Sequence, residues 1–459
     1  MARVDEPPGP RRWPRRRLWT AASVGIAVVV AVAGVLVVSP TAGPDQLDRL
    51  LVDVDADADA QVTARTAPPP TKASGPPEPV PPERPGASQD QLLRTAQLPD
   101  MAPRTSWRVT GTGGGTASLC QPRPSARPRP EALLVRRYLA DTERRQRAVQ
   151  TIEVARRPAG GASAYRTMIG WYAGCQAPRL QLMSSFVVDG RDARNDVRIL
   201  VLRRRLEPVR TLTVAVARSG VAATALVHEV DRSIGPGARD MARSTSRALD
   251  RLCPTTDGDC GSARRPVAAP PPPTGEAPGF LGVVDLPPVG SLNAAWAGTG
   301  PMRATGLNPA ATLCDEADFG RRAFTQVRSR SFVMPGSDLP QRFGLSETVG
   351  RATRQGVAPG FTEKVASRVA GCPDRELSAR IRRHDRVRSG DVEGHAWALT
   401  FEVSEGTEVA YRLGLVRRGT RVAELAFLGT PEADVGATAF AALVLRAGER
   451  LRELDAVTR

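Results

Sequence analysis

The sequence predicts an α+β protein: two tandem disulfide-stapled domains, each an antiparallel sheet packed by helices, after a single N-terminal transmembrane helix. Three observations carry that expectation. The cysteines repeat, Cys120 and Cys175 standing 55 residues apart and Cys314 and Cys372 58 apart. The surrounding text repeats as well: TASLC at 116–120 answers AATLC at 310–314, and YAGC at 172–175 answers VAGC at 369–372. Finally, an uncharged run, LWTAASVGIAVVVAVAGVLVV, fills 18–38 and is long enough to cross a bilayer core as a helix.

Ahead of that run, the tail 1–17 carries Arg3, Arg11, Arg12, Arg15, Arg16 and Arg17. Basic flanks stay in the cytoplasm, so the tail is expected inside and everything from 39 onward outside. A cleaved signal peptide is the competing reading. Its apolar region normally runs only about 7–15 residues, and Pro40 sits at −3 of the one plausible site after Ala42, which favours an uncleaved signal anchor. Arg15-Arg16-Arg17-Leu18-Trp19 superficially fits a twin-arginine signal, a weak match in so arginine-rich a chain. No cysteine lies near the apolar run to carry a lipid.

Residues 39–90 read as a disordered stalk, acidic at Asp53, Asp55, Asp57 and Asp59, then proline-rich over 68–85. A calcium loop begun at Asp53 needs glycine where Ala58 stands and glutamate where Ala64 stands, so a solvated linker is the better reading. At about 3.1 Å per residue in polyproline II, some fifty residues reach on the order of 100 Å. A second proline-rich linker, 254–278, contains Pro270-Pro271-Pro272-Pro273 and separates copy 1, at 91–253, from copy 2, at 279–459.

The copies match element by element. Each opens with Leu-Pro and then tryptophan: Leu98-Pro99 with Trp107, and Leu286-Pro287 with Trp296. Strand-like stretches follow the first cysteine, at 133–140 and 148–155 in copy 1 and at 323–334 and 341–351 in copy 2. A short amphipathic helix then leads to the second cysteine. Tyr165, Ile169 and Tyr172 mark its apolar face in one copy, and Phe361, Val365 and Val369 in the other. Trp397, Leu399, Phe401 and Val403 alternate with Ala398, Thr400 and Glu402, the period of a half-buried strand. A hairpin turn is expected near Ser219-Gly220 and near Arg418-Gly419. A helix closes each copy, with Met241, Thr245, Ala248 and Leu252 answering Phe440, Val444, Ala447, Leu451 and Leu454.

Six cysteines at repeated spacings suit an exported chain, since disulfides persist outside the cytosol. They allow fifteen connectivities, and the duplication favours Cys120–Cys175, Cys314–Cys372 and a small loop, Cys253–Cys260. With no C-x-x-C and no clustered histidines, neither metal nor cofactor is expected.

The net charge of +16 is carried almost wholly by arginine, Lys72 and Lys364 being the only lysines among 64 basic residues. That skew fits a G+C-rich coding bias. With no zinc-finger spacing, RNP motif or basic helix, it does not argue for nucleic acid. Charge does separate the copies. Residues 91–253 hold 28 arginines against 13 acids, a net +15, whereas 279–459 hold 24 basic residues against 21 acids, a net +3. Coding bias cannot produce such a difference within one gene. Arg144, Arg145, Arg147, Arg203, Arg204 and Arg205 concentrate the excess and are the anion-facing candidates, toward phosphorylated wall polymers or anionic lipid headgroups; a merely solvated surface is the alternative.

The Leu-Pro opening, early cysteine, helix ending in GWYAGC (170–175) and closing helix together resemble the PknH-type sensor domain. That domain is found outside actinobacterial receptor Ser/Thr kinases and on membrane proteins lacking a kinase. The resemblance covers both copies. It implies an antiparallel sheet flanked by helices, two disulfides per domain and a cleft for an unidentified ligand. The chain departs from that pattern twice. The late cysteine of each copy is missing, and so is the polar asparagine stretch, copy 1 reading TLTVAVARSG at 211–220. Nor can a tail of seventeen residues hold a kinase.

Signals for catalysis are sparse. The only histidines are His228, His384 and His395, and neither G-x-S-x-G nor H-E-x-x-H occurs. GTGGG at 111–115 lacks the helix and lysine of a phosphate loop. Trp107, Trp171, Trp296 and Trp397, with His395, are the ligand-binding candidates. Core anchoring is the plainer reading of the tryptophans, and a cleft wall the sharper one. The expected function is therefore a non-catalytic, membrane-anchored, extracytoplasmic sensor-like ligand-binding protein of the cell envelope, its partner an unknown envelope ligand or protein. The alternative is an envelope scaffold, copy 1 docking on anionic wall or lipid and copy 2 on a protein; an envelope hydrolase is the least favoured reading.

Overall fold

A computed structural model of the chain describes residues 87–459 apart from 114–117, 122–129, 143–144, 189–195, 259, 261–264, 305–307, 321 and 459. The tail, the apolar run 18–38, the stalk up to residue 86 and Arg144 lie outside the described residues. Among the described residues no helix is long and apolar enough to cross a membrane. The described residues form one compact unit.

Copy 1 runs β1 (Ser106–Thr112), β2 (Ala132–Asp141), β3 (Gln146–Val154), α1 (Pro158–Ala173), β4 (Leu180–Val188), β5 (Val197–Arg204), β6 (Arg210–Ser219), β7 (Ala222–Val230), α2 (Ala238–Thr256) and β8 (Pro266–Ala268). Copy 2 runs β9 (Ala297–Gly298), β10 (Met302–Arg303), β11 (Phe324–Val333), β12 (Gly344–Ala352), α3 (Val357–Ala370), α4 (Cys372–Arg375), β13 (Ala379–Ser389), β14 (Val392–Ser404), β15 (Thr407–Arg418), β16 (Arg421–Leu428) and α5 (Ala437–Arg450). The sheets are antiparallel, ordered β1-β2-β3-β7-β6-β5-β4-β8 and β10-β11-β12-β16-β15-β14-β13, so the duplication read from the cysteines extends to topology. Both copies are α+β, as the patterning predicts.

Each sheet is covered on both faces. In copy 1, Met168, Ile169 and Tyr172 of α1 pack with Leu200, Leu212, Val214 and Val227, while Met241 and Ala248 of α2 pack with Ile199, Ala215 and Leu226 on the other side. In copy 2, Val365 and Val369 of α3 meet Leu399, Leu413 and Val422, and Phe440 and Val444 of α5 meet Ala396, Val416 and Leu425. Two covered faces explain why central strands such as TLTVAVA at 211–217 bury every residue instead of alternating. Both hairpin turns fall where expected, on Gly220 (φ +53°) and Gly419 (φ +57°). A Cβ on Gly220 would lie 1.8 Å from the Thr256 carbonyl oxygen, and one on Gly161 would lie 2.6 Å from that of Gly220. The start of α1, the β6–β7 turn and the end of α2 meet there, which only glycines permit.

The disulfides are Cys120–Cys175, Cys253–Cys260 and Cys314–Cys372, with Cα separations of 5.4, 5.1 and 5.0 Å. In each copy the long-range bridge ties the end of the amphipathic helix to the segment ahead of β2 or, in copy 2, of β11.

The stretch 254–278 does not run free between the copies. Pro254 lies inside α2, β8 pairs with β4, and Pro271 and Pro272 are buried. Polyproline makes no internal hydrogen bonds, so its carbonyls are free to accept from elsewhere. Arg198 donates to Pro270 O at 3.0 Å, Arg452 to Pro271 O at 2.7 Å and Arg450 to Pro272 O at 2.5 Å. These donors are distant in sequence, which is why composition alone reads the stretch as a spacer.

Candidate functional site

At the seam between the copies, the short turn Val283–Asp285 of copy 2 lies against β4 of copy 1. Val284 is buried in the copy 1 core with Leu180 and Leu182. Gln181 Nε2 donates to Asp285 O at 3.3 Å, Arg446 to Met183 O at 3.3 Å and Arg179 to Leu292 O at 2.7 Å. Within the seam, Arg450 grips Asp285 bidentately at 2.9 and 3.1 Å and also reaches Glu453 at 3.0 Å. Copy 1 carries an arginine at the matching place in its closing helix, Arg251 before Leu252 as Arg450 stands before Leu451, and Arg251 donates to Asp90 O. The doubled Arg-Leu is the signal that sequence reasoning passed over.

Trp107, Trp296 and Trp397 are buried, Trp171 is half-buried, and the four do not share a site. Trp107 meets His228 edge to face at 5.9 Å under α2. Trp296 donates to Pro287 O at 2.9 Å and stacks on Phe343 at 5.7 Å. Trp397 is buried beneath α3, and Trp171 packs half-buried on the α1 side. His395 lies next to Trp397: His384, His395 and Trp397 form a ring cluster with centroids 5.2–5.3 Å apart, His384 Nε2 standing 2.9 Å from His395 Nδ1. Burial, then His384 and Arg386, push the His395 imidazole down to about 4, so it is neutral at ordinary pH.

The anion-facing candidates divide. Arg147 is bound to Glu229 at 2.9 Å, and that carboxylate also holds Arg210 at 2.7 Å, so Arg147 is compensated. Arg145 is exposed on its own strand approach. Arg203, Arg204 and Arg205 stand at the end of β5, beside the start of β4, and Arg179 joins them by donating to Arg205 O at 2.5 Å. Among the described residues none of these four forms an ion pair. Burial first, then Arg203 and Arg179, hold the Arg205 guanidinium below its ordinary value, a sign of like charges gathered together. The sequence pointed to the Arg203–Arg205 run; Arg179 enters only through strand pairing.

Copy 2 buries carboxyls on both faces of its sheet. Glu424, opposite Thr348, faces Asp315 and accepts from Asn308; burial, then Asp315, drive its pKa well above the carboxylate range. Glu347, across from Arg330 on β11, accepts from Leu281 N at 3.0 Å and is pushed up to about 8 by burial. These groups are protonated anchors inside the core. Among the described residues, no group of three or more His, Cys, Asp or Glu side chains is placed to hold a metal ion.

Comparison with protein-family models, with curated proteins and with solved structures found no match.

Proposed function

We propose that the chain is a non-catalytic, membrane-anchored, extracytoplasmic protein of the cell envelope, sensor-like in the PknH manner, that binds through its outer surfaces. The observation that carries this is the arginine group Arg179, Arg203, Arg204 and Arg205 at one end of the copy 1 sheet, none of which forms an ion pair among the described residues. Trp107, Trp296 and Trp397 point the same way, since they anchor the cores and leave binding to the surface. Phosphate-bearing envelope material, whether wall polymer or lipid headgroup, fits the neighbouring guanidinium groups of Arg203 and Arg205, with Arg179 beside them. The stitched seam holds both copies in one compact unit.

The test is retention of the full-length protein on immobilised polyphosphate, beside flotation with phosphatidylglycerol vesicles. Salt-sensitive binding lost in an Arg203→Gln/Arg204→Gln/Arg205→Gln variant supports the reading. Binding unchanged by the triple substitution sinks it. Preference for beads or for vesicles separates wall polymer from lipid.

A further inference from the structure

Corresponding edges of the two sheets end differently. In copy 1, β4 is covered by β8, which pairs antiparallel along Phe186↔Ala268, Val187↔Val267 and Val188↔Pro266. In copy 2 the matching strand, β13, pairs only with β14 among the described residues. An edge strand presents a row of unpaired N–H and C=O groups, a template for one more strand.

The sequences of these edges differ accordingly. The covered strand reads LQLMSSFVV, with no charge, and the open one reads ARIRRHDRVRS, with five arginines against the lone acid Asp385. Arg382 is held by Glu408 at 2.8 Å, Arg383 by Asp385 at 2.7 Å, and Arg380 reaches Glu402 at 4.0 Å. Arg386 and Arg388 are exposed and, among the described residues, form no ion pair. They follow His384 at period two, so the three share one face along the edge. Where the strand begins, the ladder runs on through Glu402 N donating to Ser378 O. Leu377 and Val403, 91% and 62% exposed, lie there, each two residues beyond the Ala379–Phe401 pair.

We propose that the β13 edge docks an acidic, extended segment of a partner protein, which adds as a strand in the way β8 adds to β4. Main-chain hydrogen bonds supply the attachment, and carboxylates at alternate positions meet Arg386 and Arg388. An apolar side chain at one end covers Leu377 and Val403. A second copy of this chain is a poor occupant, because pairing β13 with itself sets arginine against arginine. The proposal deepens the envelope-binding reading, on which it rests, by giving copy 2 a protein partner of stated chemistry.

The experiment uses the full-length protein and an acetylated peptide of alternating valine and aspartate matched to β13 in length. Saturable binding is expected, with hydrogen-exchange protection appearing on β13 amides. Arg386→Glu/Arg388→Glu is expected to weaken it about tenfold or more. A peptide of equal charge with proline at alternate positions is expected not to bind, since proline cannot donate to a ladder. Equal binding of the proline peptide overturns strand addition. Absence of any binding leaves the arginines as guards against edge pairing and overturns the docking role. Loss of binding in the Arg203–Arg205 variant, with the β13 variant unaffected, moves the peptide to copy 1 and overturns this assignment alone. Polyphosphate retention, measured on the same proteins, reports separately on the function proposed above.

Discussion

Arg450 and Asp285 form a bidentate pair, 2.9 and 3.1 Å, with both side chains fully buried at the seam between the copies. Asp285 also accepts from Gly282 N at 2.8 Å, and Arg450 also reaches a proline carbonyl, so every strong polar atom of the pair is engaged.

Breaking one side of that pair strands a buried charge. Arg450→Met is expected to lower stability by about 3–5 kcal/mol in urea unfolding, and Asp285→Leu added to it to recover part of the loss. Loosening of the seam should also appear as faster limited proteolysis between the copies. If the double variant is no more stable than Arg450→Met, charge burial is not the source of the cost.

Glu347 predicts a loss of stability toward alkaline pH. Its pKa is about 8 folded against 4.5 as a free side chain, so between those values the native state holds a proton that the unfolded chain has released. Stability from this group is therefore full below 4.5 and falls as pH rises toward 8, by about 1.4 kcal/mol per pH unit within the window. Glu424 and Asp315, both raised, act in the same direction. Glu347→Gln should flatten the alkaline limb of a Tm-versus-pH curve; an unchanged slope refutes the assignment.

His228 works on the acid side. It is buried beside Trp107, its Nε2 is 3.2 Å from Gln146 Oε1, and burial followed by Arg232 pushes it down to about 4. Between about 4 and the free value of 6.5 the native imidazole stays neutral while the unfolded one is protonated. Its contribution is thus complete above 6.5 and lost as pH falls to 4, opposite in sign to Glu347. Together the two give a stability plateau between about pH 4.5 and 6.5, where their opposite slopes cancel, with losses on either side. His228→Phe should extend stability into acid, read from the midpoint of acid unfolding.

The three disulfides should differ in weight. Loop closure over 55 and 58 residues stabilises by about 4 kcal/mol each, and over seven residues by about 2.5 kcal/mol, from the chain-entropy relation. Alanine pairs replacing Cys120/Cys175 and Cys314/Cys372 should therefore cost more in denaturant unfolding than the pair replacing Cys253/Cys260. The reverse order would show that native contacts around Cys253, not loop entropy, dominate.

Much of the fold was legible in local pattern. The strands expected at 133–140 and 323–334 are β2 and β11, and the helices marked by Tyr165 and Phe361 are α1 and α3, with boundaries shifted by a few residues. Period-two and 3.6-residue signals are local, so they survive without knowledge of partners. The candidate site was less legible. The run Arg203–Arg205 was visible, but its partner Arg179 and the compensation of Arg147 by Glu229 depend on strand pairing across β3, β7, β5 and β4. The tryptophans illustrate the same limit: their places in the sequence match, yet only packing shows that Trp296 turns toward Phe343 and Trp107 toward His228.

The duplication, the pairing of cysteines that follows from it, the α+β patterning and the unequal charge of the copies are all readable without coordinates. Each of these is written in spacing or composition along one chain. Packing settles that the proline stretch is clamped instead of free, that Arg450 and Asp285 meet, and that, among the described residues, one sheet edge is covered while its counterpart is open. Those outcomes turn on groups brought together across long separations, where a hydrogen bond or ion pair depends on ångström-scale geometry that no local pattern encodes.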